Sequence, residues 1–104
     1  FSADVVDVQL VAMGWSAKKQ ILGTSVYNDA DELVGKIDDI IVAPDSSVST
    51  AIIGVGGFIG VGRHEVAIPV SFFRLDEGRH ALRLPGATRA LIKSLPEFKY
   101  AGGK

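Results

Sequence analysis

His64, His80 and the acidic pair Asp38-Asp39 are the residues of this chain best suited to proton transfer or metal binding. An imidazole brought beside those carboxylates could act as an acid-base pair or hold a divalent cation. Their spacing follows neither the His-x-x-x-His pattern of a helix nor a two-histidine, one-carboxylate triad, so surface imidazoles near strand ends is the competing reading. Asp29-Ala30-Asp31-Glu32 opens like a calcium loop. It lacks glycine at the sixth position and glutamate at the twelfth, and reads as a solvated hairpin turn. Ser46, Ser47 and Ser71 have no neighbouring base that would mark a nucleophile. Cysteine is absent, which removes disulfides, thiolate chemistry and Cys-type zinc sites together. The expectation is a chain that is not an enzyme, with no catalytic residue, cofactor or metal ligand.

Gly54-Val55-Gly56-Gly57-Phe58-Ile59-Gly60-Val61-Gly62 holds five glycines in nine residues. A phosphate-binding loop of this kind needs a helix after it or a Gly-Lys-Ser/Thr ending. Here His64-Glu65-Val66-Ala67-Ile68-Pro69 alternates like a second strand, so backbone geometry is the better account: positive φ or close chain approach. Phe58 and Ile59 then sit between glycines at the tip of a connection. Two roles stay open for them and Val61: plugging one end of the fold, or forming an apolar patch that a partner covers. Trp15, in an apolar segment with Met13, must likewise dock on its own domain or on a neighbour's. Trp15, Phe58, Ile59 and Val61 are therefore the candidate interface residues.

The elements that position these groups read as β structure. Six short runs are separated by turn-forming residues: Thr24 to Asn28, Leu33 to Ala43, Val48 to Val55, Glu65 to Pro69, Phe73 to Leu75 and His80 to Leu84. Val66 and Ile68 share one face of the fourth run and Glu65 and Ala67 the other, as in a sheet with one buried face. In the second run Ile37 and Ile41 have one parity and Ile40 and Val42 the other, which predicts a bulge near Asp38-Asp39. Six short strands of this kind predict a mainly β fold, a small closed antiparallel barrel, since closure removes exposed edges. Thr88 is placed to cap a short C-terminal helix over Arg89 to Leu95, with Leu91 and Leu95 one turn apart and Pro96 ending it. Ser16 caps a turn through Gln20 that Gly23 can end in a left-handed conformation. The first fifteen residues fit a strand or a helix equally. The expected organisation is an N-terminal arm over 1–20, a domain over 21–100, and a frayed tail over 101–104.

The chain has 104 residues, 47% of them apolar and 22% charged, with a net charge of -1, as expected of one globular domain. Its 11 Lys and Arg form no dense run, which argues against a nucleic-acid or membrane-surface partner. No uninterrupted apolar stretch has the length of a transmembrane helix. The start at Phe1-Ser2-Ala3-Asp4, without Met, reads as trimmed or processed.

The stretch from Ile21 to Tyr100 resembles the PRC-barrel family, which includes the cytoplasmic part of the photosynthetic reaction-centre H subunit and a ribosome-maturation factor. The resemblance rests on Val34-Gly35-Lys36-Ile37-Asp38-Asp39, Pro44-Asp45, Gly56-Gly57-Phe58-Ile59-Gly60-Val61-Gly62 leading into Val66-Ala67-Ile68-Pro69, and Leu95-Pro96-Glu97-Phe98. It implies a small β-barrel used for protein contacts or assembly, with no shared catalytic residues. The membrane anchor of the first relative and the second domain of the other have no counterpart in this sequence, so their partners are not implied. Free-standing bacterial relatives are often exported, which favours a periplasmic over a cytoplasmic location. The function expected is a non-catalytic protein-protein interaction module, homo-oligomeric by exchange of the arm; the alternative is a small-ligand or metal-binding barrel.

Overall fold

The computed structural model describes residues 7–45, 49–56 and 63–102. Six strands form one sheet: β1 (Ser25–Tyr27), β2 (Leu33–Val42), β3 (Ser49–Val55), β4 (His64–Pro69), β5 (Arg74–Asp76) and β6 (Ala81–Arg83). All six lie where alternation and turn residues place them. Two short helices, α1 (Val8–Ala12) and α2 (Arg89–Ser94), flank the sheet, with a π-helical turn over Ala17–Ile21 and a 3-10 turn over Val70–Phe72.

The strand order is β4-β3-β2-β1-β6-β5. The hairpins β1-β2, β2-β3, β3-β4 and β5-β6 are antiparallel, whereas β1 and β6 run parallel through Val26↔Leu82 and Tyr27↔Arg83. The mainly β, six-stranded fold is as expected, and its all-antiparallel pairing is corrected. One junction is parallel, and among the described residues β4 and β5 each pair on one side only. Pro69 ends β4 without an N–H to donate, and the chain goes directly into the 3-10 turn, so no ladder forms across that gap. Those same end strands are joined only through residues 70–73, a span of at most about 17 Å, which obliges the sheet to curl.

The curl encloses a core of Val26, Val34, Ile37, Ile53, Val66 and Leu82, closed by Phe73 and by Ile92 of α2. Thr88 caps α2 by accepting from the Leu91 N–H at 3.1 Å. The residue α2 buries is Ile92, with Leu95 packed beside it, while Leu91 is 51% exposed. In so short a helix, a stripe assigned from two leucines is one residue out of phase. Ser16 caps the π-helical turn through Lys19 N–H, and Gly23 follows with φ 77°. That turn buries Ile21, and Trp15 lies half-buried against the core.

The arm forms α1, capped by Asp7, whose Oδ1 accepts from the Gln9 and Leu10 N–H groups at 3.1 Å each. Nothing in α1 is buried.

Candidate functional site

The bulge expected in β2 falls at Asp38: Ile37 pairs with Ile53 and Asp39 with Ile52, leaving Asp38 as the extra residue. It sets the Asp38 carboxylate on the outer face of the sheet, over Gly54. Asp38 Oδ1 accepts from Arg63 Nη2 at 2.8 Å. A Cβ on Gly54 would collide with both Arg63 Nη2 and Asp38 Oδ2. A side chain at this position would require the ends of both to shift. Among the described residues the glycines with positive φ are Gly23, Gly86 and Gly102, none of them in the glycine-rich segment.

Glu65 pairs with Gly54 in the register, on the same outer face. Its carboxyl is held above the usual carboxylate range, first by hydrogen bonding to Asp38, then by partial burial and the Asp38 charge. Asp38 Oδ2 is buried without a hydrogen-bond donor among the described residues. When Glu65 is protonated its O–H can supply that donor, which avoids two facing anions.

The C-terminal segment crosses this face. Phe98 N–H donates to Glu65 O at 2.7 Å, and Tyr100 Oη donates to Asp39 Oδ2 at 2.7 Å. The two rings meet edge to face with centroids 4.9 Å apart. Asp39 and Ala67 flank Ile52 in the register, so the segment is tied down beside Ile52. This accounts for a side chain that points away from the core yet is fully buried. The Asp39 carboxylate pushes the Tyr100 phenol up to about 12. His64 Nε2 donates to Leu95 O at 2.9 Å, which fixes its tautomer, and Nδ1 lies 4.0 Å from Glu97 Oε1.

The histidines are not brought together. His64 opens β4, whereas His80 sits in the β5-β6 turn with φ 51° and lines a small cleft with Lys19, Gln20 and Glu77. Among the described residues, no three His, Asp or Glu side chains are arranged to hold a metal ion.

The acidic turn after β1 is organised by Asn28, which sequence reasoning passed over as a strand end. Asn28 is buried and fully used: Oδ1 accepts from Ala30 and Glu32 N–H, and Nδ2 donates to Glu32 Oε1 and Ala87 O, all at 2.9–3.0 Å. Asp31 binds Arg83 Nη2 at 2.6 Å with Arg79 nearby, and these guanidinium groups hold its carboxyl below the usual range. Its carboxylates hold the fold together and do not form a cation loop.

The described residues also expose apolar surface. The α1 side chains Val8, Leu10, Val11 and the adjoining Met13 are 64–80% exposed. A groove of about 500 Å³ runs between the β4-β5 connection and α2, rimmed by Phe72 at 62% and Leu91 at 51% exposure. Arg74 is its single charged lining residue. Trp15 is half-buried on its own domain, whereas Phe58, Ile59 and Val61 lie outside the described residues.

The PRC-barrel domain profile matches residues 16–88. The chain belongs to the PRC-barrel family. The match begins at the Ser16 cap and ends at Thr88, taking in the whole sheet. A search of curated proteins finds no match to the chain. No helix among the described residues is long and apolar enough to cross a membrane.

Proposed function

We propose that this PRC-barrel domain is a non-catalytic interaction module that assembles with copies of itself. The observation that carries this reading is α1, a helix apolar on nearly every side and with none of its residues buried among the described residues. An isolated helix of five residues is far below the length that holds in water, and one that is apolar all round belongs in an interior. Burying the exposed parts of its four large apolar side chains is worth about 4–8 kcal/mol per copy, roughly doubled in a symmetric pair. Association costs about 4–15 kcal/mol, so a dimer of this kind is sustainable if the receiving surface is also apolar. Arg63, His64 and Tyr100 on the outer face support the same reading, because each is already engaged in tying one element to another.

Light scattering on the intact chain and on a chain lacking residues 1–14 tests it. The intact chain is expected at dimer mass and the shortened one at monomer mass; equal masses would sink the proposal.

Asp38 Oδ2, buried and without a donor among the described residues, favours a second reading, a small-ligand or metal-binding barrel. Calorimetric titration with calcium, magnesium and zinc distinguishes the two. Binding that is abolished by Asp38→Ala would favour the second.

A further inference from the structure

We infer that α1 of one copy seats in the groove between the β4-β5 connection and α2 of a second copy, giving a dimer built by exchange of arms. The inference rests on the reading of the domain as a self-assembling module and names the surface that receives the arm. Three observations converge on it.

The groove and the arm are matched in chemistry. The groove is lined mainly by apolar side chains, with Ser71 and Arg74 the polar ones, and the Arg74 guanidinium has no hydrogen-bond or ion-pair partner among the described residues. The part of the arm ahead of Trp15 is apolar and acidic: residues 1–14 contain Asp4 and Asp7 and no Lys, Arg or His, the arm's Lys18 and Lys19 lying in the π-helical turn. Asp7 stands at the N-terminus of α1, so a helix entering the groove brings one carboxylate to a surface whose lining holds one free guanidinium. That charge balance disfavours the anionic surface of a bilayer and favours a basic-rimmed protein groove.

The arm is also poised beside the groove without filling it. Trp15 lies in a cleft lined by Ile40 and Val70, and Val70 begins the 3-10 turn whose next residues, Ser71 and Phe72, line the groove. Yet Val8, Leu10, Val11 and Met13 remain open, as do Phe72 and Leu91. The chain's own arm thus leaves its own groove vacant, and the same two surfaces in a second copy are free to meet reciprocally. A two-fold pair satisfies both arms and both grooves at once.

Position within the arm adds a third point. Val8, Val11 and Ala12 fall at helical spacing on one side of α1, and Trp15 lies three residues past the end of that helix, packed against the core. Trp15 anchors the base of the arm while the free part projects.

The experiment is subunit complementation on the full chain. Leu10→Asp disables the arm and Phe72→Asp the groove, both at exposed positions where the fold tolerates a charge. Each variant alone is expected to raise the dimer dissociation constant at least about tenfold in sedimentation velocity, with its circular dichroism melt unchanged. Mixed in equal amounts, they are expected to regain dimer, because the mixed pair keeps one intact arm-groove contact that neither variant has by itself. Met13→Asp with Leu91→Asp repeats the test should either first variant unfold.

Wild-type dimer that persists in both variants, or loss without recovery on mixing, overturns the inference while leaving self-assembly standing. Wild-type protein that is monomeric at all concentrations overturns both. A monomer that binds phosphatidylglycerol vesicles through Leu10 and Met13 also overturns it, in favour of a lipid surface.

Discussion

Replacing Glu65 with Gln should stabilise this domain at neutral pH and leave it unchanged in mild acid. In the wild type, Asp38 Oδ2 is buried with no donor among the described residues unless Glu65 carries a proton. Leaving such an acceptor unsatisfied costs about 1–3 kcal/mol, and a glutamine amide supplies a donor at every pH. Glu65 is only partly buried, so solvent screening reduces the expected gain to about 1 kcal/mol at pH 7.5, a rise in Tm of about 4–8 °C. The pH dependence follows from the direction of the shift. Because the folded-state value for Glu65 is raised, the wild type's bound proton contributes stability that is fully present below the ordinary value of 4.5 and is lost as pH rises through the folded value. The two proteins should therefore melt together near pH 4.5 and separate progressively above it. Melting curves followed by circular dichroism from pH 4.5 to 8 measure this. A difference independent of pH, or a Gln variant less stable at pH 7.5, would refute the shared proton.

Two further perturbations probe the contacts that hold the rest of the fold. Asn28→Ala strips the donor from Ala87 O and both acceptor bonds from the β1-β2 turn, and should cost about 2–4 kcal/mol, lowering Tm by at least about 8 °C. Asn28→Asp keeps the acceptor bonds and should fall in between; an alanine variant melting with the wild type would show the network to be dispensable. Tyr100 should ionise near pH 12 and return toward 10.0 in Asp39→Ala, followed by tyrosinate absorbance. Its raised value means that the linked stability is complete below pH 10.0 and disappears as pH rises through about 12. Identical titrations in the two proteins would exclude the hydrogen bond.

The strands were legible because alternation and turn chemistry are local. The reversal of parity between Ile37 and Ile40 even located the bulge, since the extra residue lets both Ile37 and Ile40 face the core. What was not legible depends on partners distant in the chain. Gly54 reads as a turn residue in its own neighbourhood; its actual constraint comes from Asp38 and Arg63 lying over it. Tyr100 and Asp39 are 61 residues apart, and nothing in either neighbourhood announces the other. The parallel contact of β1 with β6 follows from how the curled sheet brings its parts together, and no hairpin signal encodes it. Asn28 could have been noticed as a residue ill-suited to a strand end unless its amide was used.

The division of labour between polar and apolar surface narrows where function lies. Arg63 ties the start of β4 to the bulge, Tyr100 ties the C-terminal segment to β2, His64 ties β4 to the end of α2, and Arg83 ties β6 to the β1-β2 turn. Each bond adds a tie beyond the strand ladder, in which β4 and β5 pair on one side only among the described residues. Substitutions there should be felt first in stability. The arm and the groove have the opposite character: the exposed side chains Val8, Leu10, Val11, Met13, Phe72 and Leu91 close no gap in their own fold. Residues that contribute little to their own fold and remain apolar at such exposure are accounted for by what they meet outside it. A stability screen alone would pass over them, whereas an assembly screen should single them out.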